Sequence, residues 1–257
     1  MDISGIWTSY YTIVRKELVR LFRIWTQTFL PPVITSTLYF LVFGKFVGSQ
    51  VSAIDGMSYM QFIVPGLVMM SVITSSFMNT AFSFYSAKFQ RTIEEIMVSP
   101  TPHIIVVFGQ ISASILRGII TALLILAVAM FFTPLTIHSV FLTLLFVVLT
   151  ATLFSLAGLI NGVFANSFDS VSIFPTFVLT PLTYLGGVFY SVHALPPFWQ
   201  TISMWNPILY MVNGFRYGLL GISDTSLVYS IVILVSLVLL LAGVNWWLFK
   251  TGKGLRA

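Results

Sequence analysis

Residues 118–168 read GIITALLILAVAMFFTPLTIHSVFLTLLFVVLTATLFSLAGLINGVFANSF, with no Asp, Glu, Lys or Arg among them. A helix crossing the hydrocarbon core of a bilayer needs about 20 mostly apolar residues, so the run is too long for one crossing. It breaks at Thr133-Pro134-Leu135-Thr136, where proline cannot continue a helical ladder. With the apolar residues upstream, this gives two spanning helices, at 104–132 and 140–164. Residues 123–130 are apolar on every face, unlike the alternating strand of a membrane β-barrel. Lipid-facing backbone must satisfy its own N–H and C=O groups, which a helix does.

The same reading extends outward. Residues 24–44, 56–87, 96–116, 170–215 and 225–249 are also free of Asp, Glu, Lys and Arg. The 257 residues are 58% hydrophobic and 7% charged, against roughly a quarter charged in soluble domains. Four further spans are expected at 28–46, 59–84, 170–190 and 227–249. The expected fold is an all-α polytopic membrane protein with six transmembrane helices in one domain, 1–257. Pro31-Pro32 would open the first span and break its continuity with the preceding helix.

The formal charge of +5 does not indicate nucleic acid, because the cations sit at the ends of apolar segments rather than along a groove. Arg15, Lys16, Arg20 and Arg23 precede span 1, Lys88 and Arg91 fall between spans 2 and 3, and Lys250, Lys253 and Arg256 follow span 6. Lys45 and Arg216 fall on the other side. The imbalance places both termini in the cytoplasm and makes the span number even. Trp199 and Trp205 would mark the outer interface, and Trp25, Trp246 and Trp247 the inner one. Within 1–26, Trp7, Tyr10, Tyr11, Val14, Leu18, Leu21, Phe22 and Trp25 recur at helical spacing, with Arg15, Lys16, Arg20 and Arg23 on the other face. This describes an amphipathic helix lying in the cytoplasmic interface, its basic face toward lipid headgroups. A simple extension of span 1 is the alternative.

Segment 191–222 is apolar but contains Pro196, Pro197 and Pro207 together with Asn206, Asn213, Gly214, Gly218 and Gly221. Two short helices that enter the membrane from outside and return fit this pattern better than a straight span, with a surface loop as the alternative. Arg117, inside span 3, is costly in lipid and should line a cavity or interface, or pair with a carboxylate such as Asp169. Gly158 and Gly162 permit close helix approach within the chain or between two copies.

Several chemistries are excluded or unsupported. The chain has no cysteine, so disulfides, thiolate metal sites and cysteine catalysis are ruled out. His103, His138 and His193 are scattered and match no metalloprotease or triad pattern. Gly252-Lys253 lacks both the upstream Gly, where Trp247 stands, and the following Ser or Thr of a nucleotide-binding loop. Asp55, Asp169 and Asp224 lie at span ends, leaving no carboxylate expected at the membrane midplane to couple an ion gradient. Transport would therefore be passive or driven by a partner. A channel or ion-coupled carrier is the competing class, and an intramembrane enzyme a more distant one.

Residues 90–100, reading Gln-Arg-Thr-Ile-Glu-Glu-Ile-Met-Val-Ser-Pro, resemble the cytoplasmic loop of ABC-2 type transporter permeases. That family carries Gly-Thr-Leu-Glu-x-Leu-x-Val-Thr-Pro there. Thr92, Glu94, Val98 and Pro100 match, and Arg91 replaces the usual Gly. A second stretch, with Gly186-Gly187-Val188, Leu195-Pro196-Pro197, Asn206-Pro207-Ile208-Leu209-Tyr210 and Gly214-Phe215-Arg216, is similar to the family's outer re-entrant helices. The resemblance implies a coupling segment, 85–102, in which Arg91, Thr92, Ile93, Glu94, Ile96 and Met97 meet a separate ATPase subunit. Glu94 would sit on a cytoplasmic helix whose other face, with Phe89, Ile93, Ile96 and Met97, enters a groove of the ATPase. It also implies a homodimer of permeases in a bacterial inner membrane, export of a lipid, glycan or amphiphile, and ATP-Mg bound on the partner rather than on this chain. Gly187, Pro196, Asn206, Pro207, Tyr210 and Arg216 would shape the outer re-entrant pair.

Overall fold

The computed structural model describes residues 3–48 and 56–254. Asp55 and Arg256, and the side chain of Lys45, lie outside the described residues. The described chain is built of helices, in keeping with backbone that must hydrogen-bond to itself where water is absent. They are α1 (Ile3–Arg23), α2 (Trp25–Tyr39), α3 (Tyr59–Phe89), α4 (Thr92–Val98), α5 (His103–Ala129), α6 (Val140–Phe164), α7 (Phe168–Phe174), α8 (Thr180–Tyr184), α9 (Pro197–Met204), α10 (Pro207–Leu220) and α11 (Leu227–Thr251). Four of them, α3, α5, α6 and α11, are long and apolar enough to cross a membrane.

The remaining two apolar stretches expected to span are helical but divided. α2 runs into a π-helical segment, Phe40–Val47, and α7 reaches α8 through a second one, Pro175–Leu179. Prolines account for part of this, since each removes an N–H from the helical ladder. The chain replaces two of the lost donors with side chains from neighbouring helices. Pro32 cannot bond the Thr28 carbonyl, four residues back, and Arg117 Nη2 of α5 donates to that oxygen at 3.3 Å. Pro175 cannot bond the Val171 carbonyl, and Asn161 Nδ2 of α6 donates there at 2.9 Å. The break between α1 and α2 falls at Ile24 (φ −112°, ψ 34°), with Pro31 and Pro32 inside α2. The prolines therefore do not make the boundary expected of them.

α3 is the central element. In its most apolar window 72% of residues are buried, against 11% for α11, which lies at the periphery with a largely exposed apolar surface. A capping box of Ser58 and Gln61 starts α3, satisfying two otherwise orphaned N–H groups. α6 crosses α3 closely because Gly158 and Gly162 present no side chain. A Cβ at Gly158 would collide with the Phe77 carbonyl, and one at Gly162 would lie 2.8 Å from that of Ala81. Both glycines thus serve packing inside the chain. The Phe62, Val68, Phe77, Phe146 and Phe215 side chains fill the main core among α3, α6 and α10.

The two described ends of the chain share one end of the bundle. Thr101, just before α5, donates to Ser9 of α1. Lys88 Nζ, near the end of α3, donates to the Val163 carbonyl in the last turn of α6 at 2.9 Å, and Gly254 packs on Val163. The opposite end holds the start of α3, the α5–α6 turn and the end of α10, joined by Gln61 Nε2 donating to Pro134 O and the His138 N–H donating to Leu219 O.

Candidate functional site

α4 joins α3 to α5 at the end shared by the chain's described termini. The connection is tight, and Arg91 adopts a left-handed conformation (φ 58°, ψ 9°). That region costs a residue with a Cβ but not glycine, which explains why the related pattern carries Gly at this point. Thr92 Oγ1 donates to the Ala87 carbonyl at 3.2 Å, holding the turn. Glu94 and Glu95 occupy the first turn of α4, where carboxylates favour the positive end of the helix dipole.

The face that α4 turns outward differs from expectation. Ile93 is buried at 1% exposure, and Ile96 and Met97 are half-buried against the same cluster, which includes Phe84, Val106 and Leu159. The apolar face of α4 therefore anchors it to α3, α5 and α6, and is not free to enter a partner's groove. Phe89, Glu94, Glu95 and Val98 are exposed instead. Beside them an open groove of about 540 Å³ separates α4 from the start of α1, lined by Gly5, Thr8, Ser9, Glu95, Ile96 and Thr101 among others.

Farther from that end, α1, α2, α3 and α5 enclose a buried polar network. Glu17 is 2% exposed. It accepts from Arg20 Nη2 at 2.9 Å and from Ser83 Oγ at 2.7 Å. Arg20 Nη2 also donates to Asn79 Oδ1 at 3.1 Å, and Arg117 Nη1 donates to the same oxygen at 3.2 Å. Asn79 Nδ2 donates to Ser114 Oγ at 2.6 Å, and the Thr80 and Ser114 hydroxyls lie 2.6 Å apart. Arg117 thus meets Asn79 and a backbone carbonyl, and the pairing with Asp169 considered from sequence is not formed. Arg20 points inward to Glu17 and Asn79, away from the purely headgroup-facing role expected of it. Glu17, Asn79, Ser83 and Ser114 were not singled out as a site by sequence reasoning. The signal that could have found them was Glu17 itself, an acid at i+4 from Ile13 and i−4 from Leu21 on the buried stripe of α1.

At the other end, α9 and α10 are the two short helices expected in 191–222. Pro196 is extended and precedes α9, and Pro207 is the first residue of α10. Asn206 caps α10 by accepting from the Ile208 N–H at 3.0 Å, and its Nδ2 donates to the Leu182 carbonyl at 2.6 Å. Tyr210 Oη donates to Met204 O at 2.8 Å, closing the turn between the two helices. Gly187 takes φ +71°, open to glycine without strain. Arg216 is not the surface charge expected from counting loops. It is fully buried, with its guanidinium 4.1 Å above the Phe62 ring, donating to Gly187 O at 2.6 Å and to Asn213 Oδ1 at 3.1 Å. Asn213 Oδ1 also accepts from the Asp224 N–H, and the Asp224 carboxylate accepts from Ser191 Oγ and the Val192 N–H. These bonds tie together the segments after α8, α10 and the loop before α11.

The bundle thus carries a short connector helix, α4, at one end and a pair of proline-led short helices, α9 and α10, toward the other. The family model described as ABC-2 type transporter matches residues 8–220. The chain belongs to the ABC-2 type transporter family. It is 53% identical to "Inner membrane transport permease YadH" of Escherichia coli (strain K12), over 98% of each chain, and equally to the protein of that name from Shigella flexneri. It is 25% identical to "Nodulation protein J" of Rhizobium leguminosarum bv. viciae, over 72% of this chain and 71% of that one. Membership carries with it association with an ABC ATPase subunit.

Proposed function

We propose that this chain is the membrane-spanning subunit of an ABC exporter, working as a pair of copies driven by a separate ATPase that holds the ATP-Mg. The observation that supports this reading most directly is the exposed face of α4, where Glu94, Glu95 and Val98 stand clear of a helix whose other side is anchored in the bundle. A force applied to such a helix is transmitted to the ends of α3 and α5, because Ile93 cannot move independently of them. The chain crosses a bacterial inner membrane six times, with the divided runs from Trp25 to Val47 and from Phe168 to Tyr184 supplying the two crossings beyond the four long helices. Both termini and α4 are cytoplasmic, while α9 and α10 form a re-entrant cap on the outer side. The family resemblance carried by the two sequence motifs supports an amphiphilic cargo, a lipid, glycan or comparable compound.

The test is affinity purification in mild detergent of wild type beside Glu94→Arg. Recovery of a stoichiometric ATPase with wild type, weakened by the substitution without loss of permease, is the expected result. Wild-type protein that stays dimeric yet brings down no ATPase would move the assignment to a passive or ion-coupled carrier.

A further inference from the structure

The buried network leaves positive charge over. Glu17 is the one carboxylate among its described residues, set against Arg20 and Arg117, and Arg15, Lys16 and Arg23 are exposed on the same helix. Two hollows adjoin on that helix. One, of about 460 Å³, is lined by Thr12, Arg15, Lys16, Val19, Arg20 and Arg23, with Ile24 at its edge. The other, of about 480 Å³, is almost wholly apolar apart from its rim, and is lined by Tyr11, Val14, Leu18 and Phe22 along with Arg15, Val19 and Arg23. Arg15, Val19 and Arg23 border both. A ligand that fills the pair carries an anionic head and an apolar tail on one molecule.

The level of the site fits the same ligand. α3 has 31 residues, about 46 Å at helical rise, whereas the hydrocarbon core is about 30 Å thick. Asn79, the residue of α3 that meets Arg20, lies ten positions before the α3 end at Phe89, about 15 Å along the helix. Centred in that core, α3 overhangs by about 8 Å at each end, so Asn79 lies about 7 Å inside the hydrocarbon boundary. Arg15 and Lys16 precede Arg20 by about a turn on the side of α1 that meets Thr101, and so lie closer to the headgroups.

We propose that the exposed face of α1 carries a surface site for an anionic phospholipid of the inner leaflet, its phosphate held by Arg15, Lys16 and Arg23 and an acyl chain lying along Leu18, Val19 and Phe22. The inference rests on the cytoplasmic placement of α1 proposed above, but not on any ATPase. Arg20 borders the basic hollow and also holds Glu17 and Asn79, so lipid occupancy bears on how firmly α1 is docked to α3 and α5.

The experiment is native mass spectrometry of the full chain in detergent, titrated with phosphatidylglycerol or phosphatidylcholine. Wild type should retain phosphatidylglycerol preferentially, and the triple variant Arg15→Gln, Lys16→Gln, Arg23→Gln should bind it at least roughly tenfold more weakly, as three cations near a headgroup imply. The charge-keeping variant Arg15→Lys, Lys16→Arg, Arg23→Lys should retain the preference, which separates loss of the site from loss of fold. Lys250→Gln with Lys253→Gln, which removes two cations at the end of α11, should leave it intact. The proposal is overturned if the triple variant keeps the preference, if the α11 variant loses it equally, or if glycerol phosphate alone displaces the lipid. Recovery of the ATPase by the triple variant would show that failure here leaves the transporter assignment standing. An acidic surface of the ATPase bound at these cations in place of lipid would appear as loss of that recovery with lipid retention unchanged, and would also overturn it.

Discussion

Two arginines, 117 and 216, are held by the same kinds of partner, carbonyl oxygens and asparagine amides, in separate parts of the bundle. Arg117 is the more informative because one of its acceptors exists only through a proline. Thr28 O lacks a backbone donor as long as residue 32 is proline. Pro32→Ala would return an N–H to that oxygen, and so should reduce the destabilisation caused by Arg117→Leu. A double-substitution cycle followed by thermal unfolding in detergent is expected to show a coupling of about 0.5–1.5 kcal/mol, the scale of one hydrogen bond. Glu17→Ala leaves Arg20 and Ser83 without their shared acceptor. Because the Arg20 side chain is 33% exposed, the expected loss is about 1–3 kcal/mol, below the 3–5 kcal/mol of a fully buried pair, and is read as a lowered unfolding midpoint. At Arg91, where φ is positive, glycine should be accepted and valine should lower stability by about 1–2 kcal/mol. Glu17 was legible as an anomaly on an apolar stripe. Its partners were not, since Ser83, Asn79 and Ser114 are ordinary residues of apolar helices until those helices are placed side by side.

Among the elements, the closest crossing is that of α3 with α6. Gly158→Leu would drive a side chain into the Phe77 carbonyl, while a Cβ at Gly243 on α11 would meet no atom within 4 Å. Gly158→Leu should therefore cost at least about 1–3 kcal/mol and strip folded protein from the monodisperse peak in size-exclusion chromatography, whereas Gly243→Ala should elute and melt as wild type. The connector helix shows the same contrast on a smaller element. Ile93→Asp places an unpaired carboxylate in the core and should abolish folding, while Glu94→Arg should leave the unfolding midpoint unchanged. Sequence placed α4, α9 and α10 well, because prolines, asparagine caps and the motif around Thr92 are local signals. It erred on which face of α4 points outward, since a seven-residue helix with apolar residues on more than one side does not declare its partner. The start of α2 was also misplaced, because proline is accepted within a helix whose freed carbonyls find other donors.

For the whole molecule, the open matter is which ends face which compartment, and the absence of cysteine makes the measurement direct. Val98→Cys and Ile137→Cys introduce single thiols at exposed positions at the two ends of the bundle. A membrane-impermeant maleimide should label Ile137→Cys from outside intact spheroplasts and Val98→Cys only in inverted vesicles. Labelling of both from one side would refute the six-span topology. The sequence by itself determined that the chain is a helical membrane protein and which family it belongs to, because long uncharged apolar runs have only one solvent that suits them and the two motifs are contiguous in the chain. Only the tertiary structure decided the inward turn of Arg20, the burial of Arg216, the use of Gly158 and Gly162 within the chain and the network around Glu17. Each of these depends on residues far apart in sequence meeting where water is scarce, so that every buried donor and acceptor has to be matched by whatever neighbouring helix is near.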